Sequence, residues 1–175
     1  MPSPTHQRGI TLVEAAAVIA IVAVTASAAA PGLQRLIERY RLEAAATRFA
    51  ADLQLARNES IARNRVVRLS WHAASACYLL HTGPADACSC DAAGAAQCAP
   101  GQMPIRAMAW DGGMRVSLQS NTASIAFDPL HGTVTPTATW RISAADGRAI
   151  HHVVNVMGRV RSCSPLATVP GYRAC

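Results

Sequence analysis

The residue types in this chain that could do chemistry are cysteine, histidine, arginine and a single carboxylate set in an apolar run. Six cysteines, Cys77, Cys88, Cys90, Cys98, Cys163 and Cys175, all lie in the C-terminal part. A metal site would have to combine Cys88, Cys90 and Cys98 with His81. Cys-x-Cys lacks the paired Cys-x-x-Cys spacing of structural zinc, so neither a metal nor another cofactor is expected. An even count points to disulfides if this segment reaches an oxidising compartment. Cys163 and Cys175 are the expected pair, since both lie near the tail; the other four allow three pairings, which spacing leaves open. The histidines are His6, His72, His81, His131, His151 and His152. None stands with a serine or cysteine in a nucleophile elbow, and no glycine loop could cradle a phosphate, so no enzyme is expected. His151 and His152 would face opposite ways on a strand and could not share an ion, leaving plain solvent exposure as their expected state.

The arginines are more informative. All 16 basic residues are arginine, and the ten acids leave a net charge of +6, a balance that favours nucleic acid or anionic lipid. Arg159 and Arg161 alternate with Val160. On a strand the two guanidiniums share one face while Val160 points inward, and two guanidiniums on one face can grip successive phosphates. Gly158 permits a tight turn or a close backbone approach before them. No acid follows Asp146, so the last 29 residues carry Arg148, Arg159, Arg161 and Arg173 with no countercharge among them. Only Tyr172 could stack on a base there, so contact with nucleic acid should be weakly selective in sequence.

Glu14 is the one charge in residues 10–30, a run of 21 residues. At about 1.5 Å per residue such a run crosses a hydrocarbon core of about 30 Å. A carboxylate kept there calls for a partner. The polar leader ahead of it has Arg8 as its only full charge and should stay cytoplasmic. Pro31-Gly32 should bend the helix, because proline removes a donor and crowds the preceding turn. Beyond it Leu42, Ala45, Phe49, Leu53, Ala56 and Ser60 lie on one helical face, which should pack on a globular part, and the helix should fade near Arg63-Asn64. Alternation then marks short strands starting at Val67 and over 77–82, 105–110, 114–119, 124–128, 137–143, 149–156 and 159–163. Asp111-Gly112-Gly113, Asp128-Pro129, His131-Gly132, Asp146-Gly147 and Met157-Gly158 supply the turns between them. Residues 83–101 have no hydrophobic period and read as a surface loop held by cysteines; residues 164–175 read as irregular.

The segment Arg8-Gly9-Ile10-Thr11-Leu12-Val13-Glu14 resembles the class III signal of type IV pilins and type II secretion pseudopilins. The resemblance implies cleavage after Gly9 by prepilin peptidase, methylation of the Ile10 amine and a filament contact between Glu14 and the N-terminal amine of a neighbouring subunit. Ile10 stands where the family usually has phenylalanine, and Pro31 matches the family's helix-kinking proline. The run Leu53-Gln54-Leu55-Ala56-Arg57-Asn58-Glu59-Ser60-Ile61-Ala62-Arg63-Asn64 is similar to the helix end shared by pseudopilin H and FimT-like minor pilins. Phe127-Asp128-Pro129 with Gly132-Thr133 resembles a turn of that group. Gly158-Arg159-Val160-Arg161 resembles its GRxR motif, linked in FimT-like proteins to DNA binding in natural transformation.

The fold implied is α+β: a long N-terminal helix, its first half transmembrane, packed on a β-rich head of two antiparallel sheets. The divisions read are a leader at 1–9, a transmembrane or filament-core helix at 10–30, its amphipathic continuation at 31–64 and a periplasmic head at 65–175. The partners implied are other pilin subunits, prepilin peptidase, the inner membrane and double-stranded DNA. Two further functions stay open: pseudopilin H of a type II secretion system, and a membrane-anchored periplasmic binding domain outside any filament. An ordinary secretory signal is the competing account of the N-terminus, since Ala-Ser-Ala-Ala-Ala at 26–30 imitates a cleavage site.

Overall fold

The structure, a computed structural model, describes residues 11–110 and 115–175. The expected cleavage residues Gly9 and Ile10, the Asp111-Gly112-Gly113 turn and Met114 lie outside the described residues. The chain divides between Ile37 and Glu38 into two compact units, each taken here by itself.

Helix α1 runs over Leu12–Arg63. At its start the Thr11 hydroxyl accepts the Glu14 amide at 3.2 Å, and the Thr11 carbonyl accepts the Ala15 amide at 3.0 Å. Glu14 therefore stands in the first turn, where the helix dipole favours a carboxylate. Leu12, Val13, Val18, Ile19, Ile21, Val22 and Val24 are all exposed. Thr25 donates to the Ile21 and Val22 carbonyls and Ser27 to that of Val24, so these hydroxyls are satisfied inside the helix, as lipid surroundings require. The length and composition are those of a membrane-crossing segment. The helix continues unbroken through Pro31, whose missing amide costs it one hydrogen bond to the preceding turn.

The second unit takes in α1 from Glu38 onward together with all the strands. The buried helix residues are Leu42, Ala45, Ala46, Phe49, Asp52, Leu53, Ala56 and Ser60. One antiparallel sheet has the order β5-β2-β1-β7-β8, built from Pro104–Ala109, Cys77–Thr82, Val67–His72, Ser124–Phe127 and Val134–Thr135. A second has the order β11-β10-β9-β6, built from Val160–Cys163, Ala149–Val154, Ala138–Ala144 and Val116–Ser120. One continuous core joins the helix stripe to Leu69, Tyr78, Leu80, Ile125 and Phe127 of the first sheet and to Leu118, Trp140, Ile142 and Ile150 of the second.

Phe49 is at its centre, edge-on to Tyr78 (centroids 5.1 Å) and Trp110 (6.1 Å), tilted against Trp140 (5.1 Å) and stacked on His152 (6.1 Å). One buried helix residue is charged. Asp52 accepts from the Tyr78 hydroxyl at 2.6 Å and pairs with the Arg106 guanidinium. Burial, then the Asp52 carboxylate, push the Tyr78 phenol pKa far up.

The segment 83–101, expected as a loop, is an ordered part of the fold. Cys88–Cys90 (β3) and Ala96–Cys98 (β4) form an antiparallel hairpin. The Cys88–Cys98 disulfide joins its two strands, and Cys77–Cys90 ties it to β2. Every residue of β2 is buried: Tyr78 and Leu80 belong to the main core, while Cys77 and Leu79 pack with Cys88 and Cys90 in a second, smaller one. Three-residue strands are too short to show alternation, and cross-links here stand in for apolar bulk, which is why the sequence pattern missed them. The tail, expected as irregular, is also anchored. Cys163–Cys175 closes it, Ser164 bridges to Ala174, and the buried Ser164 hydroxyl donates to the Ala149 carbonyl at 2.9 Å.

Candidate nucleic-acid interface

The Gly158–Arg161 segment closes the hairpin between β10 and β11. Its turn is held from three sides. The Gly158 amide donates to the Asn155 carbonyl at 2.9 Å, the Arg159 amide donates to the Asn155 side chain at 3.0 Å, and the Asn155 amide donates to the Arg159 carbonyl at 3.2 Å. Gly158 has φ +70°, and a β-carbon there would lie 2.4 Å from the Gly132 carbonyl oxygen. Only glycine fits such an approach. Arg57 of α1 donates through Nε to the same Gly132 oxygen at 3.2 Å. The Val134 amide donates to the Val156 carbonyl at 2.8 Å, fastening the 128–133 turn to the 155–158 turn. Three stretches far apart in sequence, at Arg57, Gly132 and Gly158, thus meet at one carbonyl. The place of Gly158 is to shape and seat the turn that presents the arginines.

Arg159 and Arg161 are exposed, with Val160 half-buried between them. The strand starts at Val160, so Arg159 closes the turn rather than opening β11. Arg161 pairs across with Val153, and Val153 with Thr139. Cross-strand partners share a face, so these three form one row on the outer side of the sheet. The next row holds His151, Arg141 and Gln119. Arg141, exposed on β9, was not singled out from the sequence, although Thr139-x-Arg141-x-Ser143 alternates against Trp140 and Ile142 and could have revealed it. At about 4.8 Å between strands and about 3.3 Å per residue, Arg141, two strands across and two residues along, lies about 12 Å from Arg161 in backbone position. The strands β6, β9, β10 and β11 contain no Asp or Glu. The His151 pKa is pushed down, first by partial burial and then by the Arg141 charge.

Arg173 is exposed in the tail, and its carbonyl accepts the Ser164 amide at 2.8 Å. Among the described residues, Arg141, Arg159, Arg161 and Arg173 make no ion pair. Arg148, expected without a countercharge, instead pairs with Asp146 through Nε at 2.6 Å; each holds the other ionised, and the Asp146 pKa is pulled down by that bond. Asp146 precedes the acid-free tail but lies only two residues before Arg148, and the turn between them folds it back onto the guanidinium.

His152, expected at the solvent, is buried. Its Nε2–H donates to the Ala46 carbonyl of α1 at 2.9 Å, which leaves Nδ1 to accept the Ser162 hydroxyl at 2.8 Å. Burial pushes its pKa down to about 4. His81 is buried too, with Nδ1–H on the Thr82 carbonyl at 3.0 Å and Nε2 accepting from Ser70 at 2.9 Å. A histidine can fill either a wet or a dry position, so type alone did not decide. All six cysteines are in disulfides, and no group of three His, Cys, Asp or Glu among the described residues is placed to hold a metal. The arrangement offers exposed cations on a rigid sheet face, which suits binding a polyanion.

Residues 45–158 match the family model of the type II transport protein GspH. The crystal structure of the type IV minor pilin FimU of Pseudomonas aeruginosa aligns with a TM-score of 0.55 at 19% identity, covering 78% of this chain and 98% of that one. The minor pseudopilin EpsH from the type 2 secretion system of Vibrio cholerae aligns with a TM-score of 0.52 at 14% identity, covering 71% and 98%. At these identities the likenesses show the pilin-like fold. No curated protein sequence matches the chain significantly.

Proposed function

Because the chain belongs to the GspH family of type II transport proteins, we propose that it is a FimT-like minor pilin or pseudopilin whose head contacts double-stranded DNA for uptake. The observation that carries the DNA reading is the outer face of acid-free strands bearing Arg141 and Arg161, with Arg159 on the adjoining turn and Arg173 in the tail, all four outside any ion pair among the described residues. In this reading Gly9 and Ile10 are the processing site of prepilin peptidase. Glu14 and Pro31 serve assembly with other pilin subunits, and the protein sits in the inner membrane with its head in the periplasm before joining the filament. Its work is assembly and binding.

Processing is tested by the intact mass of membrane-extracted protein. The expected chain starts at Ile10 and carries one methyl group; a chain starting near Pro31 would mean an ordinary signal peptide and would end the filament reading. DNA contact is tested by titrating a duplex with wild type, Arg159→Gln, Arg161→Gln and Arg39→Gln at several salt concentrations. With about two to four phosphate contacts, affinity should fall in the non-specific range of roughly 10⁻⁴–10⁻⁶ M and weaken as salt rises. Removing either Arg159 or Arg161 should lower the salt slope by about one, equally on all sequences. Arg39 pairs with Glu43 on the helix and controls for net charge. Equal losses in all three variants would leave bulk charge as the cause. No binding by folded wild type at low salt would favour the second reading, pseudopilin H of a type II secretion filament, which the family description and the likeness to EpsH support.

A further inference from the structure

The turn that carries the arginines also carries apolar side chains that are exposed among the described residues. Val156 is 55% exposed and Met157 60%, and Leu130 on the neighbouring turn is 77% exposed. Single exposed apolar residues need no account. These three sit on two turns bonded to each other, next to two arginines without ion pairs. The tip is also rigid. The Val134 amide holds the Val156 carbonyl, Asn155 caps Arg159, and Gly158 is seated on the Gly132 carbonyl that Arg57 grips. The one carboxylate on these turns, Asp128, is partly exposed and bonded within its own turn: its Oδ1 accepts the amides of Leu130 at 3.0 Å and His131 at 2.8 Å and faces the His131 ring at 3.2 Å.

We propose that this tip is a wedge for duplex DNA: Val156 and Met157 enter the minor groove and partly unstack one base step, while Arg159 and Arg161 hold the flanking phosphates. The proposal rests on the DNA reading above and adds to it a groove, a mode of contact and a deformation of the ligand. Apolar side chains flanked by arginines are the chemistry of minor-groove wedges, which open a step and bend the duplex towards the major groove. Charge complementarity names the occupant, since the apolar tip stands beside cations and belongs to a sheet without acids. Rigidity favours this use, because a preordered tip loses little entropy on insertion. A·T-rich sites, narrower and more negative in the minor groove, should then bind somewhat better although no base edge is read.

The test uses the full chain in detergent and a short duplex with a dye at each end and an A·T tract at its centre. Energy transfer between the dyes reports the bend, and anisotropy reports affinity. Wild type should bend the duplex, and netropsin occupying the minor groove should compete with it. Val156→Ser with Met157→Ser should abolish the bend and weaken binding about five-fold while the salt slope stays, since the arginines remain. Met103→Ser, an equally exposed apolar site on the edge strand β5 side of the other sheet, should change neither reading. Near-ultraviolet circular dichroism checks that each variant is folded. A wild type that binds without bending, a double variant that bends as before, or indifference to netropsin would each overturn the wedge and leave the DNA reading standing. Loss of filament assembly by the double variant with unchanged DNA bending would make the tip a protein contact and overturn it too. Absence of any DNA binding by wild type would overturn both.

Discussion

Phe49→Ala should destabilise the head by about 3–5 kcal/mol, the range for removing a fully buried aromatic ring. Phe49 is 0% exposed and touches the rings of Tyr78, Trp110, Trp140 and His152. Those neighbours come from both large sheets and from the segment after β5, so no single element can move to fill the space. For a domain of this size the midpoint of thermal unfolding should fall by roughly 10 °C. Near-ultraviolet circular dichroism of the tryptophans, followed through a thermal scan, reads it directly. A fall of less than about 3 °C would mean that the core collapses around the gap and is not organised by this ring. Phe49→Leu, which keeps most of the volume, should recover more than half of the loss.

The second large effect is a loss of stability in mild acid that originates at His152. In the folded chain its pKa is about 4, against 6.5 for a free imidazole. Above pH 6.5 the ring is neutral in both states and contributes no pH dependence. Between pH 6.5 and 4 the unfolded chain takes up a proton that the folded chain refuses, so stability falls as pH falls. Integrated over that window the loss approaches about 3 kcal/mol. His81, whose pKa burial also lowers, pulls in the same direction. The measurement is the denaturant midpoint at pH 7, 5.5 and 4.5. His152→Gln should start less stable at pH 7 but show a clearly flatter decline, because an amide can keep one of the two hydrogen bonds and cannot take the proton. An equally steep decline in that variant would assign the acid sensitivity to other groups. Asp128 and Asp146, whose pKa values are held below the ordinary carboxylate value by hydrogen bonds, act only at still lower pH.

Where the chain follows one period, its structure could be read in advance. The six helix positions chosen by spacing, from Leu42 to Ser60, are all buried, and α1 ends at Arg63. The main strands fall within a residue or two of their alternating runs, because one face of each is dry and the other wet. Legibility failed where a residue's setting depends on distant partners. Asp52 is buried only because Tyr78 and Arg106, from distant strands, supply its partners, and helix spacing does not reveal them. The β3–β4 hairpin has no period because disulfides and one covered face of β2 make it stable. Within the candidate site, Arg159 and Arg161 were visible from their alternation. Gly132 was visible as a turn residue and Arg57 only as part of a family resemblance; neither showed that they meet to seat the turn, and Arg141 joins the face only through strand pairing.

Two buried polar contacts of α1 have a mechanical consequence. Asp52 is fastened to Tyr78 of β2 and Arg106 of β5, and one turn and a half earlier the Ala46 carbonyl is fastened to His152 of β10. An apolar groove alone would let a helix slip along its axis or roll, since greasy contacts are easily exchanged for similar ones. Two directional bonds at different heights, one to each sheet, fix both translation and screw angle. Tension drawn along α1 is then carried in shear by both anchors at once, and it passes to β11 through the Ser162 hydroxyl bonded to the far side of the same imidazole. The hairpin bearing Arg161 is the last link of that chain, so a load on the helix is delivered to the outer strand of the second sheet.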